Sequence, residues 1–209
     1  MRLYLLTPPQ TTGNELPLVL HFLECGLHKL HIRKPEFSIG DYRNYIAAIP
    51  VTYHDRLVIH GAFELVQAFP ALGVHFRSHD RQDTQLVQQV RQLRPASCSS
   101  SFHAWEEISS NENHYDYVFI SPVFDSISKK GYKAGIDLEG RLRLRQWAAA
   151  HKKQLPGIVG LGGVGPATIA RLNETGFEGA ALLGAIWEAA HPARAFADVQ
   201  QAIGNPAGS

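Results

Sequence analysis

The chain has 209 residues, 44% apolar and 19% charged, with a formal net charge of +1. That length can bury a substantial α/β core, and the near-neutral balance excludes a general attraction to nucleic acid or to an anionic membrane, so any anion must be recognised locally. Cys25 and Cys98 are too few for a disulfide framework; no apolar run approaches the ~18 residues of a membrane span, and Met1-Arg-Leu-Tyr-Leu-Leu-Thr-Pro8 lacks the length of a signal h-region. The expectation is a cytoplasmic protein with reduced thiols.

Short apolar runs recur at residues 3–7, 29–33, 57–60, 73–76, 96–100, 117–121, 158–161 and 180–184. Most lack clean alternation, as expected of parallel strands covered on both faces. Helical patterning between them is clearest at 83–93, 104–109, 142–153, 166–175 and 192–203. Gly165-Pro166 places a proline near a helix start, and Gly176 follows Asn173-Glu-Thr as a helix end. The stretch 62–72 is the weakest unit, because Pro70 leaves room for only a short helix. Eight strands with intervening helices favour an α/β fold of the (β/α)8 TIM-barrel type; an open doubly wound sheet uses the same units and is the alternative. No linker or charge block divides residues 1–209, so a single domain is expected, with 205–209 as a frayed tail.

Chemistry is expected in the loops that follow the strands. Gly162-Gly163 and Gly184-Ala185 follow strands seven and eight, where many barrels hold a phosphate on backbone N–H groups; such glycines also serve turns for purely conformational reasons. His103 lies at the junction of strand five and its helix, where an imidazole either carries protons near neutral pH or packs as a helix start. Ser101 lies beside it. Arg33 and Lys34 end strand two, as phosphate or carboxylate ligands or as solvated charge. Tyr117-Val-Phe-Ile-Ser-Pro-Val-Phe-Asp-Ser-Ile-Ser-Lys-Lys-Gly131 carries an apolar strand into a hydroxyl-rich loop holding Ser126 and Lys129. His60, His75, His79 and Asp80 follow strands three and four, but their spacing matches no closed zinc pattern. Asp80 is the candidate magnesium ligand, although a lone carboxylate in that place is more often an N-terminal helix residue.

In this order, Gly73-Val-His-Phe…Asp80, Ser101-Phe-His103, Asp116-Tyr-Val…Ser-Pro-Val-Phe-Asp-Ser-Ile-Ser-Lys129, Gly162-Gly163 and Gly179…Ala185-Ile186 resemble the thiamine phosphate synthase and thiazole tautomerase (TenI) superfamily. The resemblance implies a barrel that binds a thiazole phosphate, with neither nucleic acid nor membrane as partner; oligomeric state is not readable. The synthase branch joins a pyrimidine methyl pyrophosphate to thiazole phosphate with Mg2+. Its Gln-x-Arg-x-Lys corresponds here to His31-Ile-Arg33-Lys-Pro35, where only Arg33 carries over and Lys34 is a partial substitute. Its Asn-Asp corresponds to His60-Gly61, which leaves Asp80 as the remaining carboxylate. A serine often found after strand eight is replaced by Gly184.

What survives suits the tautomerase branch, which requires a phosphate anchor and a proton shuttle and no metal cofactor. The leading expectation is therefore a thiazole tautomerase-like isomerase, with His103 and Lys129 in catalysis. Arg33, Lys34, Ser101, Ser126, Gly162, Gly163, Gly184 and Ala185 would hold the substrate. The alternatives are a divergent thiamine phosphate synthase, with Mg2+ on Asp80, and a noncatalytic phosphate-ligand sensor.

Overall fold

The computed structural model describes residues 1–125 and 135–204. The frayed tail expected at 205–209 lies outside them, as do Ser126 and Lys129. In chain order the elements are β1 (Arg2–Leu6), α1 (Glu15–Glu24), β2 (Lys29–Ile32), α2 (Ile39–Ala47), β3 (Leu57–Ile59), β4 (Gly73–Phe76), α3 (Ser78–Gln82), α4 (Thr84–Gln92), β5 (Ser97–Phe102), α5 (Trp105–Ser110), β6 (Tyr117–Ile120), α6 (Gly140–Ala150), β7 (Gly157–Leu161), α7 (Ile169–Glu174), β8 (Gly179–Leu182), α8 (Gly184–Trp187) and α9 (Pro192–Gly204). The strands close in sequence order into a parallel barrel, which excludes the open doubly wound sheet. The expected helix within 62–72 is a single 3-10 turn, Phe63–Gln67. Contacts group the chain into two compact units, Tyr4–Ser100 and Met1–Leu3 with Ser101–Ser209.

Within Tyr4–Ser100, parallel pairing sets Leu6 beside His31, His31 beside Val58, Val58 beside Gly73 and His75 beside Ser99. α1 buries Glu15, Val19, Phe22 and Leu23, one stripe at helical spacing. α2 starts at a capping box, in which Asp41 N–H donates to Ser38 Oγ at 3.2 Å and Ser38 N–H donates to Asp41 Oδ2 at 2.9 Å. α4 starts on Asp83, whose Oδ1 accepts from Leu86 N–H at 3.0 Å. β5 is longer than its polar run Ser97-Cys-Ser-Ser-Ser suggests, extending to Phe102. Two of its buried hydroxyls are satisfied by the neighbouring strand: Ser99 donates to the Val74 carbonyl at 3.2 Å and Ser100 to that of Phe76 at 2.8 Å.

In the other unit, β6 pairs with β7 and β7 with β8. Met1–Leu3 joins it through Arg2 N–H, which donates to the Glu178 carbonyl at 3.0 Å. The Glu178 carboxylate accepts from Ile158 N–H at 2.8 Å and pairs with the buried guanidinium of Arg141 on α6. α7 begins at Ile169, three residues beyond Pro166, and ends before Gly176, whose φ of +78° is the left-handed turn a helix end demands.

A buried ion pair ties α1 to β2 and α2. Lys34 Nζ lies 2.6 Å from Glu15 Oε2, both side chains fully buried, and also donates to the Pro8 carbonyl at 2.8 Å. Tyr45 donates to Glu15 Oε1 at 2.7 Å, and Lys34 N–H donates to Tyr42 Oη at 3.2 Å. Removing one partner of such a pair strands the other charge, at a cost of about 3–5 kcal/mol. Lys34→Met is therefore expected to lose about that much in urea unfolding, and Lys34→Met with Glu15→Leu to recover most of it. An unchanged midpoint in Lys34→Met would show that the pair does not hold these elements.

Candidate functional site

In the unit containing Ser101–Ser209, β5 ends at Phe102 and delivers His103 to an exposed position. Its Nδ1 lies 3.0 Å from the Ser121 carbonyl, directly after β6. A carbonyl only accepts, so Nδ1 carries the proton, and in the neutral ring the basic lone pair is on Nε2. The ring is thereby aimed by backbone, which suits a group that takes up and returns a proton.

The same segment after β6 walls the glycine turn after β7. Val123 N–H donates to the Leu161 carbonyl at 3.0 Å and Phe124 N–H to that of Gly162 at 3.1 Å. Gly162 and Gly163 have φ of +97° and +65°. A Cβ on Gly162 would sit 3.0 Å from Pro122 Cα, and one on Gly163 would strike the Asp125 carbonyl oxygen and approach Phe124 Cβ at 2.7 Å. Both positions thus require glycine twice over, for backbone and for space. Thr168 fixes the far side, donating to the Gly163 carbonyl at 2.9 Å and accepting from Gly165 N–H at 3.0 Å.

Gly184 and Ala185, expected in the turn after strand eight, instead open α8, because β8 stops at Leu182. Ser101 is the penultimate residue of β5 and half-buried. Among the described residues, the chain thus brings His103 and the Gly162-Gly163 turn onto one segment, 121–125.

In the unit Tyr4–Ser100, Arg33 follows β2 with its backbone bracketed by Thr7, whose Oγ1 accepts from Arg33 N–H at 2.9 Å. Lys34 is directed into the Glu15 pair rather than toward solvent. Burial pulls its ammonium below the ordinary lysine range, and Glu15 opposes the shift. Asp80 Oδ2 accepts from Arg77 N–H at 2.9 Å and Arg77 Nε at 2.7 Å, while Oδ1 lies 3.1 Å from His79 Nε2. Magnesium favours one or two carboxylates plus substrate phosphates. Here Gly61 supplies no side-chain ligand and Asp80 is neutralised by a guanidinium, so these residues do not make a protein-held magnesium site.

Beneath Arg33 and Arg77 lies a cluster that sequence spacing did not expose. His31 Nδ1 is 2.9 Å from His60 Nε2, and the His60 and His75 rings stack at 4.2 Å. His75 Nδ1 is 2.9 Å from Ser99 Oγ. All three rings are buried. Burial first, then neighbouring histidines, drives His31 and His60 well below the usual imidazole range. Burial likewise pushes His75 down to about 3, with Asp80 opposing the shift. The three rings are neutral at physiological pH.

Residues 3–186 match the family model described as thiamine monophosphate synthase. The chain belongs to that family. Thiamine-phosphate synthase of Latilactobacillus sakei is 29% identical over 202 residues, covering 90% of this chain and 86% of the relative. That of Desulfitobacterium hafniense is 28% identical over 200 residues, covering 92% of each. Among solved structures, thiamine phosphate pyrophosphorylase from Bacteroides thetaiotaomicron aligns with a TM-score of 0.72 at 25% identity, covering 97% of each chain. The Pyrococcus furiosus enzyme aligns at 0.76 with 17% identity, covering 99% of this chain and 97% of its own, and supports the fold alone. This synthase-family barrel is an enzyme of thiamine biosynthesis; among its described residues, no helix is long and apolar enough to cross a membrane.

The glycine turn gives a direct test. Left-handed backbone alone costs an alanine about 1–2 kcal/mol, so Gly176→Ala, with open space around its Cβ, is expected to lose about that much. Gly163→Ala is expected to lose more, because the Asp125 carbonyl must also move. Equal urea midpoints for the two variants would remove the close approach from the account.

Proposed function

We propose that the chain is a divergent thiamine-phosphate synthase. It joins thiazole phosphate to a pyrimidine methyl pyrophosphate: the ring nitrogen forms a bond to the pyrimidine methylene as the carbon–oxygen bond to pyrophosphate breaks. The observation that carries the phosphate half is the Gly162-Gly163 turn directly after β7, the loop position where barrels of this kind hold a phosphate on backbone N–H groups, with its shape fixed by the close approach of Pro122–Asp125. The choice of reaction is supported by relatives that bear the synthase name and match over about nine-tenths of the chain.

In this reading Arg33 supplies positive charge for the pyrophosphate, while the Arg77 guanidinium is paired with Asp80. Each is close enough to His60 and His75 to lower their proton affinity, and guanidinium suits phosphate oxygens. Lys34 is assigned to structure. The cation that accompanies pyrophosphate would be held by the substrate more than by the protein.

A thiazole tautomerase is the second reading, favoured by one observation. The His103 ring is aimed by the Ser121 carbonyl, and Ser121 leads directly into the segment that walls the glycine turn. Such a ring suits proton transfer on a ligand held there by its phosphate.

The two readings separate in one experiment. Protein incubated with pyrimidine methyl pyrophosphate, thiazole phosphate and Mg2+ is expected to form thiamine phosphate, followed by chromatography against an active synthase. His103→Ala is expected to retain most of that condensation. Absence of product, together with thiazole carboxylate phosphate isomerisation that drops ~10²–10⁴-fold in His103→Ala, would replace the synthase reading with the tautomerase. Thermal stabilisation by ligand without either turnover would leave only binding.

A further inference from the structure

Three imidazoles meet inside the unit Tyr4–Ser100 with nitrogen atoms all within 4.8 Å of one another. We propose that His31, His60 and His75 form a binding site for a zinc-class divalent metal ion.

The hydrogen bonds fix what each ring offers. Ser99 gives its single hydroxyl proton to the Val74 carbonyl, so its oxygen accepts from His75, which places the His75 proton on Nδ1 and a lone pair on Nε2. A ligating histidine is commonly held through its other nitrogen in this manner. Between His31 Nδ1 and His60 Nε2, 2.9 Å apart, one proton serves two nitrogens. An ion between them, with that proton moved to the outer nitrogen of its own ring, needs the facing nitrogens about 3.3 Å apart at ordinary zinc–imidazole distances, a displacement of a few tenths of an ångström.

His60 is the ring that turns. Its stack on His75, at 4.2 Å and 18°, runs their in-plane lone pairs side by side, and two such rings meet one ion only when one rotates. Among the described residues the buried His60 Nδ1 has no hydrogen-bond partner, so rotation of the ring breaks no bond at that atom. The rings are buried in the neutral form, the form that ligates. Three imidazoles without carboxylate or thiolate suit zinc, nickel, cobalt or copper over magnesium. The site therefore differs from the Asp80 group in both place and chemistry.

The test uses the full chain, stripped with a chelator and titrated with cobalt(II), whose visible absorption reports nitrogen coordination, with zinc as competitor. One cobalt per chain is expected, displaced by one zinc and accompanied by a rise in melting temperature. His31→Gln and His60→Asn, which keep neutral polar groups, are each expected to weaken binding by about 100-fold, at or beyond the effect of losing an outer-shell partner. His21→Ala, which removes an exposed histidine lying 3.7 Å from Cys25 Sγ, is expected to leave binding unchanged. Should either cluster variant fail to fold, X-ray absorption on the zinc-loaded wild-type protein counts imidazole ligands directly, with three expected. No binding by the folded wild-type chain, binding that survives both cluster substitutions, or fewer than three imidazoles would overturn the proposal.

Discussion

A parallel strand covered on both faces offers no water to a polar side chain, and the unit Tyr4–Ser100 is built around that constraint. Each polar group on or beside β2 to β5 must find a partner in the protein or stay uncharged. Lys34 keeps its charge because Glu15, Pro8 and Tyr45 close around it. His31, His60 and His75 take the other course and stay neutral. Ser99 and Ser100 of β5 give their protons to carbonyls of β4. This is why a run as polar as Ser97-Cys-Ser-Ser-Ser is a strand at all.

The two solutions have different consequences. A paired ammonium is fixed: its partners lie on α1, α2 and the loop after β1, and moving it disturbs all three. A neutral imidazole retains one acceptor and one donor, so the cluster can exchange partners without moving a charge. The positive field of Arg33 and Arg77 reinforces neutrality there. The same guanidiniums remain half-exposed, that of Arg77 in its pair with Asp80.

Most of the fold was legible because parallel strands are written as short apolar runs, and all eight were located within a residue or two. α1 was less legible: Glu15-Leu-Pro-Leu-Val-Leu is apolar on several sides, and its buried acid interrupts the stripe that marks a helix face. Gly162 and Gly163 were readable as a turn, since a glycine pair after a strand is a local signal. Lys34 was readable only as a strand-end cation. Its partner lies 19 residues earlier on another element, and nothing local announces it. The histidine cluster was hidden for the same reason, because barrel register rather than spacing brings residues 29 apart to 2.9 Å.

That register also changes the meaning of the departures from the synthase pattern. Read along the chain, histidine for glutamine at position 31 and histidine for asparagine at position 60 are two separate losses. In the fold they are one contact. An amide and a neutral imidazole each offer a donor and an acceptor, so the replacement preserves an uncharged polar pair in a place where an unpaired group is expensive. Decay of an unused site has no reason to keep two buried substitutions in hydrogen-bond contact, with a third ring stacked on one and a serine orienting that third ring. The arrangement argues for a rewritten interior rather than an abandoned one, and this favours an active enzyme over a barrel that only binds.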